Sequence, residues 1–232
     1  MFDTHNPKIN NYAQRNADNL SMVILMVVLS IQQRWSQVGH MLQDVQKNKQ
    51  ESKYIWGNKA KTYKYIMIHK HFIYGQMMAI LNSDKSDTLK SYALMNMFLR
   101  IDGLGIAKAG FVCQLVAGLV GCIDIHNIRM YKVNPNLLKY NKNAKTPRGV
   151  ETNLSRVYDY VDFCNRQYGT RNLWDSWCSF IADKYPNDFV DGFHVSELHY
   201  TFLTGEFNEK IQEEDDEKIV PISRGLGVAN VQ

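Results

Sequence analysis

Residues 101–129 read IDGLGIAKAGFVCQLVAGLVGCIDIHNIR. Two glycines, Gly103 and Gly105, separate an apolar helical stretch through Tyr92, Leu94, Met95 and Leu99 from a second one over residues 108–119. Glycine at both positions permits backbone dihedrals closed to other residues and lets the main chain approach a neighbour closely. The pattern predicts a tight αα-hairpin. Such a turn exposes the amides that open its second helix, and with the helix dipole these make a seat for a phosphate, to which Lys108 adds a positive charge. A hairpin without any ligand carries the same signature. Beyond it a lone carboxylate, Asp124, stands between Ile123 and Ile125.

Helical periodicity extends outward from this stretch in both directions. Leu20, Val23, Ile24, Val27, Val28 and Ile31 recur at three- and four-residue steps, as do Val38, Met41, Leu42 and Val45 after Trp35. Residues 58–81 (NKAKTYKYIMIHKHFIYGQMMAIL) predict one long helix with Gly75 as a candidate break. Ser86 and Asp87 offer an N-cap to the next helix. After Pro135 and the polar stretch 141–148 (NKNAKTPR), which predicts a loop, further helices are expected over 153–167 and 173–185. No long alternating pattern competes, so the expected fold is all-α.

The totals agree with a packed chain. At 232 residues and 45% hydrophobic content the protein can bury a sizeable core. Its longest apolar run, residues 22–29, falls far short of the roughly 18 residues a bilayer span needs, and no export signal opens the sequence, so no membrane partner and a cytoplasmic location are expected. Cys113, Cys122, Cys164 and Cys178 lack the spacing of a metal site and are expected to be reduced and buried. His69, His71 and His199 have no further ligands at persuasive spacing, so no metal is expected. The net charge of +4 is uneven: residues 206–232 hold seven acids against three bases, a balance of −4, which leaves +8 on residues 1–205. A basic body points to a polyanionic partner, and the acidic tail, expected to be mobile, could compete with it for the basic face.

Three blocks of the sequence resemble the helix-hairpin-helix DNA glycosylase superfamily, to which endonuclease III belongs. Residues 24–32 (ILMVVLSIQ) are similar to an early buried helix of that family ending in Leu-Ser-x-Gln. Residues 56–60 (WGNKA) are similar to the segment before its next long helix, and residues 101–129 to its hairpin, following helix and catalytic-aspartate loop. Asp124 lies 19 residues beyond Gly105, close to the family's separation, in an Asp-x-His-x-x-Arg context with His126 and Arg129. Together the blocks span about half the chain.

The resemblance implies two helical lobes flanking a DNA-binding cleft. One lobe comprises residues 17–120, the second residues 1–16 and 121–205, with 206–232 as the tail. It implies a monomer that takes DNA as its partner, needs no cofactor and works in the cytoplasm, that of a host cell if the chain is viral. Asp124 is implied as the catalytic group facing the sugar of a nucleotide turned out of the duplex. A carboxylate there stabilises positive charge developing on the sugar and can orient or deprotonate attacking water. An N-cap for a helix beginning near Ile125 is the structural alternative, and the two roles are compatible. DNA contacts are implied for Gly103, Leu104, Gly105, Ala107, Lys108, Gln32, Lys59, His126 and Arg129. Gln32 would fill the gap left by the extruded nucleotide or, alternatively, satisfy its own helix end, and His126 could instead brace the Asp124 loop.

The sequence departs from the family at two points. The amine nucleophile of bifunctional members aligns with Ala107, and Lys108 is about 100° further round the helix, so no lyase activity is expected. The four closely spaced cysteines of an iron–sulfur cluster are absent, so no cluster is expected. The matched residues imply a monofunctional N-glycosylase removing a damaged or modified base. Two alternatives stand beside it: a phage thymine-hypermodification enzyme in which an amine displaces pyrophosphate from an activated 5-hydroxymethyl-uracil, and a non-catalytic DNA-binding module. After Arg129 no motif matches. Trp174 and Trp177 suit packing, while Arg171 and Asp175 are weaker candidates for reading base edges.

Overall fold

The computed structural model describes residues 7–33, 37–123, 125–165, 173, 200, 203 and 204. These form eight α-helices and, among the described residues, no strand: α1 (Pro7–Arg15), α2 (Ala17–Leu29), α3 (Val38–Asn48), α4 (Gly57–Leu81), α5 (Asp87–Phe98), α6 (Ile106–Ala117), α7 (Ile125–Tyr131) and α8 (Pro147–Phe163). The all-α expectation therefore holds. No helix among the described residues is long and apolar enough to cross a membrane.

The centre of the fold is α2. Its run from Val23 to Leu29 is buried on every side, the signature of a helix hydrophobic all round, and α1, α3, α4 and α6 pack about it. Asn16 caps its start, accepting from the Asn19 N–H at 2.8 Å. From α1, Asn10 and Gln14 donate to the carbonyls of Leu115 and Val116 at 2.6 and 2.7 Å, supplying the orphaned end of α6 with partners from a distant element. Tyr74 ties α4 to the same place through the Gln14 carbonyl, at 2.8 Å. One continuous core runs from Ile9 in α1 to Tyr160 and Val161 in α8.

Several boundaries differ from the periodic reading for local reasons. Gly75 does not break α4, because Ile73 and Met77 are buried on either side of it and packing outweighs a penalty of about 1 kcal/mol. Helix α6 covers 106–117 rather than 108–119, ended by Gly118 in the left-handed region at φ +64. Helix α8 starts six residues early, since Thr146 accepts from the Gly149 N–H and Pro147 takes the first turn, where it costs no hydrogen bond. Ile31 lies beyond the end of α2, in a turn. Helix α1, whose apolar positions are few, was not expected. Of the helix anticipated over 173–185 only Leu173 falls among the described residues, buried against Gly121. Arg171, Trp174, Asp175, Trp177, Cys178, His199 and the acidic tail 206–232 lie outside them.

Candidate functional site

The turn between α5 and α6 is fastened to the start of α4. Gly103 has φ +88, which only glycine adopts without strain, and a Cβ there would lie 2.2 Å from Thr62 Oγ1. Thr62 is buried, and its hydroxyl faces both the Asp102 carbonyl at 2.6 Å and the Asn58 carbonyl of its own helix at 2.9 Å. A lysine holds the turn as well: Lys142 Nζ donates to the Ile101 carbonyl. Burial holds the Lys142 ammonium below its ordinary range, and the nearby Asp102 carboxylate works against that shift. Leu104 and Ile106 anchor the turn in the core, whereas Gly105 is exposed and gives α6 no side-chain cap. The first amides of α6 thus receive nothing from their own N-cap side chain. Ala107, the second residue of α6, is half-buried.

Two lysines converge on the C-terminal end of α2, where unpaired carbonyls and the helix dipole favour positive charge. Lys59 Nζ donates to the Leu29 carbonyl at 3.2 Å, and burial lowers its pKa. Lys108 Nζ donates to Ser30 Oγ at 3.0 Å and lies 5.5 Å from the centre of the Phe111 ring. Ser30 in turn donates to the Val27 carbonyl at 2.7 Å. Lys108 therefore reaches across to the end of α2, and its amine is engaged by the Ser30 hydroxyl.

Between these groups opens a hollow of about 340 Å³ lined by Gln32, Lys59, Thr62, Gly103 and Trp56, among others. Trp56, at the N-cap of α4, is 67% exposed. Gln32 is exposed and has φ +56, a conformation that costs a residue with a side chain about 1–2 kcal/mol. Strain of this kind is concentrated at functional surfaces. The structure thus brings together Gln32, Lys59 and Gly103, three residues singled out from separate blocks of sequence.

The segment leading to position 124 is latched from three helices. The Cys122 N–H donates to Gln114 Oε1 of α6 at 3.1 Å, and the Ile123 N–H donates to the Tyr160 hydroxyl of α8 at 2.8 Å. That hydroxyl donates to the Gly121 carbonyl at 2.8 Å, and Asn127 Nδ2 of α7 donates to the Cys122 carbonyl at 2.5 Å. Val120 is held at φ +62, and a Cβ on Gly110 would lie 2.5 Å from the Gly121 carbonyl oxygen, so α6 passes in backbone contact with the segment. Asp124 itself, and the side chain of His126, lie outside the described residues. Helix α7 begins at Ile125, and Arg129 is exposed in its last turn.

Sequence reasoning does not single out Thr62, Gln114, Tyr160 or Lys142. Gln114 was the most accessible of them: a single amide inside FVCQLVA has to find a partner once that helix is buried. Comparison with known proteins returns no matching family model, no matching curated protein and no matching solved structure.

Proposed function

We propose that the protein is a DNA-acting enzyme of the helix-hairpin-helix glycosylase type, a monofunctional N-glycosylase that removes a damaged or modified base with Asp124. The observation that carries this reading is the hollow beside the clamped Gly103 turn, where Gln32 and Lys59 meet. The three come from chain positions 32, 59 and 103, and a purely structural hairpin has no need of a strained, exposed glutamine and a partly desolvated lysine at its side. In the proposed mechanism the turn amides take a phosphate, Gln32 occupies the space left in the duplex, and Lys59 adds positive charge beside the strand. Asp124 stabilises the oxocarbenium character of the sugar as the glycosidic bond breaks and the base leaves with the bonding pair; water adds at the sugar carbon, giving its proton to the carboxylate, and the released base takes up a proton from solvent. The engagement of Lys108 with Ser30 supports hydrolysis over attack by an amine.

Product identity tests this reading. Duplexes carrying candidate bases are incubated with the protein and the products analysed by mass spectrometry. Release of free base is the expected result. A heavier nucleoside retained in the strand would instead assign a modification reaction, and salt-sensitive binding without either product would assign a binding module.

A further inference from the structure

The outward face of α4 carries an unusual combination of groups. This helix of 25 residues holds Lys59, Lys61, Lys64 and Lys70 and no acidic residue. At 100° per residue, Lys61, Lys64, Ile68 and Phe72 fall within about 80° of one another on the side opposite the core residues Ile66, Ile73 and Met77. Ile68 is 64% exposed and Phe72 62% exposed, so no described part of the fold covers two large apolar side chains. The basic end of this face adjoins the hollow: Lys61 lies about 60° round the axis from Asn58, which lines it.

We infer that this face is a track for unpaired nucleic acid, on which the strand leaving the hollow lays its phosphates along Lys61 and Lys64 and stacks a base on Phe72. The inference rests on the DNA-acting reading above and adds to its duplex substrate a single-stranded extension beyond the hollow. Charge selects a polyanion: Lys61 and Lys64 are exposed on this face with no acid of α4 beside them, whereas Lys59 and Lys70 lie on the opposite side of the helix, one donating to the Leu29 carbonyl and the other paired with Asp18. The exposed ring then selects unpaired over duplex nucleic acid: a duplex offers phosphates and keeps its base faces stacked, whereas a single strand offers the π-faces that aromatic side chains bind. From Lys61 to Phe72 the helix rises about 16 Å, room for a few nucleotides of one strand.

The test is fluorescence anisotropy of a labelled twelve-residue oligothymidylate with the full chain and its variants, over a series of salt concentrations. Phe72→Leu is expected to weaken binding about tenfold with an unchanged salt slope, and Phe72→Trp to retain it, because stacking needs a ring and not only apolar area. Lys61→Gln with Lys64→Gln is expected to reduce the slope by about 1.4. Wild-type affinity in Phe72→Leu overturns the inference, as does a wild-type dimer in sedimentation that Phe72→Leu dissociates without altering oligonucleotide binding. The two readings fail separately. Ring-dependent binding without any change to a base would leave the track and remove the enzyme, and base release with a silent Phe72→Leu would do the reverse.

Discussion

Replacing Gly103 by alanine tests how the hairpin is held. At φ +88 an alanine costs about 1–2 kcal/mol relative to glycine. Its Cβ would also lie 2.2 Å from Thr62 Oγ1, so the hydroxyl must leave the Asp102 carbonyl, and losing a buried hydrogen bond costs about 1–3 kcal/mol. Together Gly103→Ala should destabilise by about 2–5 kcal/mol, a fall in Tm of about 4–20 °C for a chain of this size. Thr62→Ala removes the obstructing oxygen, leaving Thr62 Cβ's position at an ordinary 3.4 Å. In that background Gly103→Ala should cost only the dihedral term, so the double-mutant cycle should show a coupling of about 1–3 kcal/mol. Gly105, with φ −83 and nothing within 4 Å of an added Cβ, is the control: Gly105→Ala should change stability by less than about 1 kcal/mol. Urea unfolding followed by circular dichroism measures all four variants. Additive Gly103 and Thr62 effects, or equal costs at the two glycines, would refute the clamp.

Burial raises the thiol pKa of Cys113 and Cys164 above the ordinary 9.0, so folded thiols stay protonated where unfolded ones ionise. Their stabilisation should be intact below about pH 9 and lost as pH rises toward the folded values, at up to about 1.4 kcal/mol per thiol per pH unit. In a Cys178→Ser background the native protein should resist a thiol reagent and react on unfolding, and rapid native labelling would contradict the buried cluster. At the hollow, Lys59→Gln should weaken duplex binding several-fold and lower the salt slope by about 0.9, whereas an unchanged slope would remove Lys59 from the phosphate contacts.

The helices were legible because their apolar residues follow the helical period, and α2, α4 and α5 begin within a few residues of where caps and periodicity put them. Helix α1 escaped for the opposite reason: PKINNYAQR buries few apolar side chains and is held by amides reaching the α6 carbonyls. The close approach of the Gly103 backbone to a neighbour was readable from the glycine, but the identity of that neighbour was not. Thr62 lies 40 positions upstream of Asp102, and nothing local marks its hydroxyl as aimed at that residue's carbonyl. Lys108 teaches the same lesson, since its sequence position beside the turn gave no hint that Ser30 would take its amine. Long-range polar pairing is set by how helices cross, and one-dimensional spacing does not record it.

The most direct test of the account concerns one oxygen pair. Asp124→Asn preserves size and shape while removing the negative charge and replacing one acceptor oxygen by a donor, and its single-turnover rate and DNA dissociation constant can be measured on the same duplex. The rate is expected to fall by about a hundredfold or more with DNA affinity within about twofold of wild type. Full turnover in the amide variant would remove Asp124 from the chemistry.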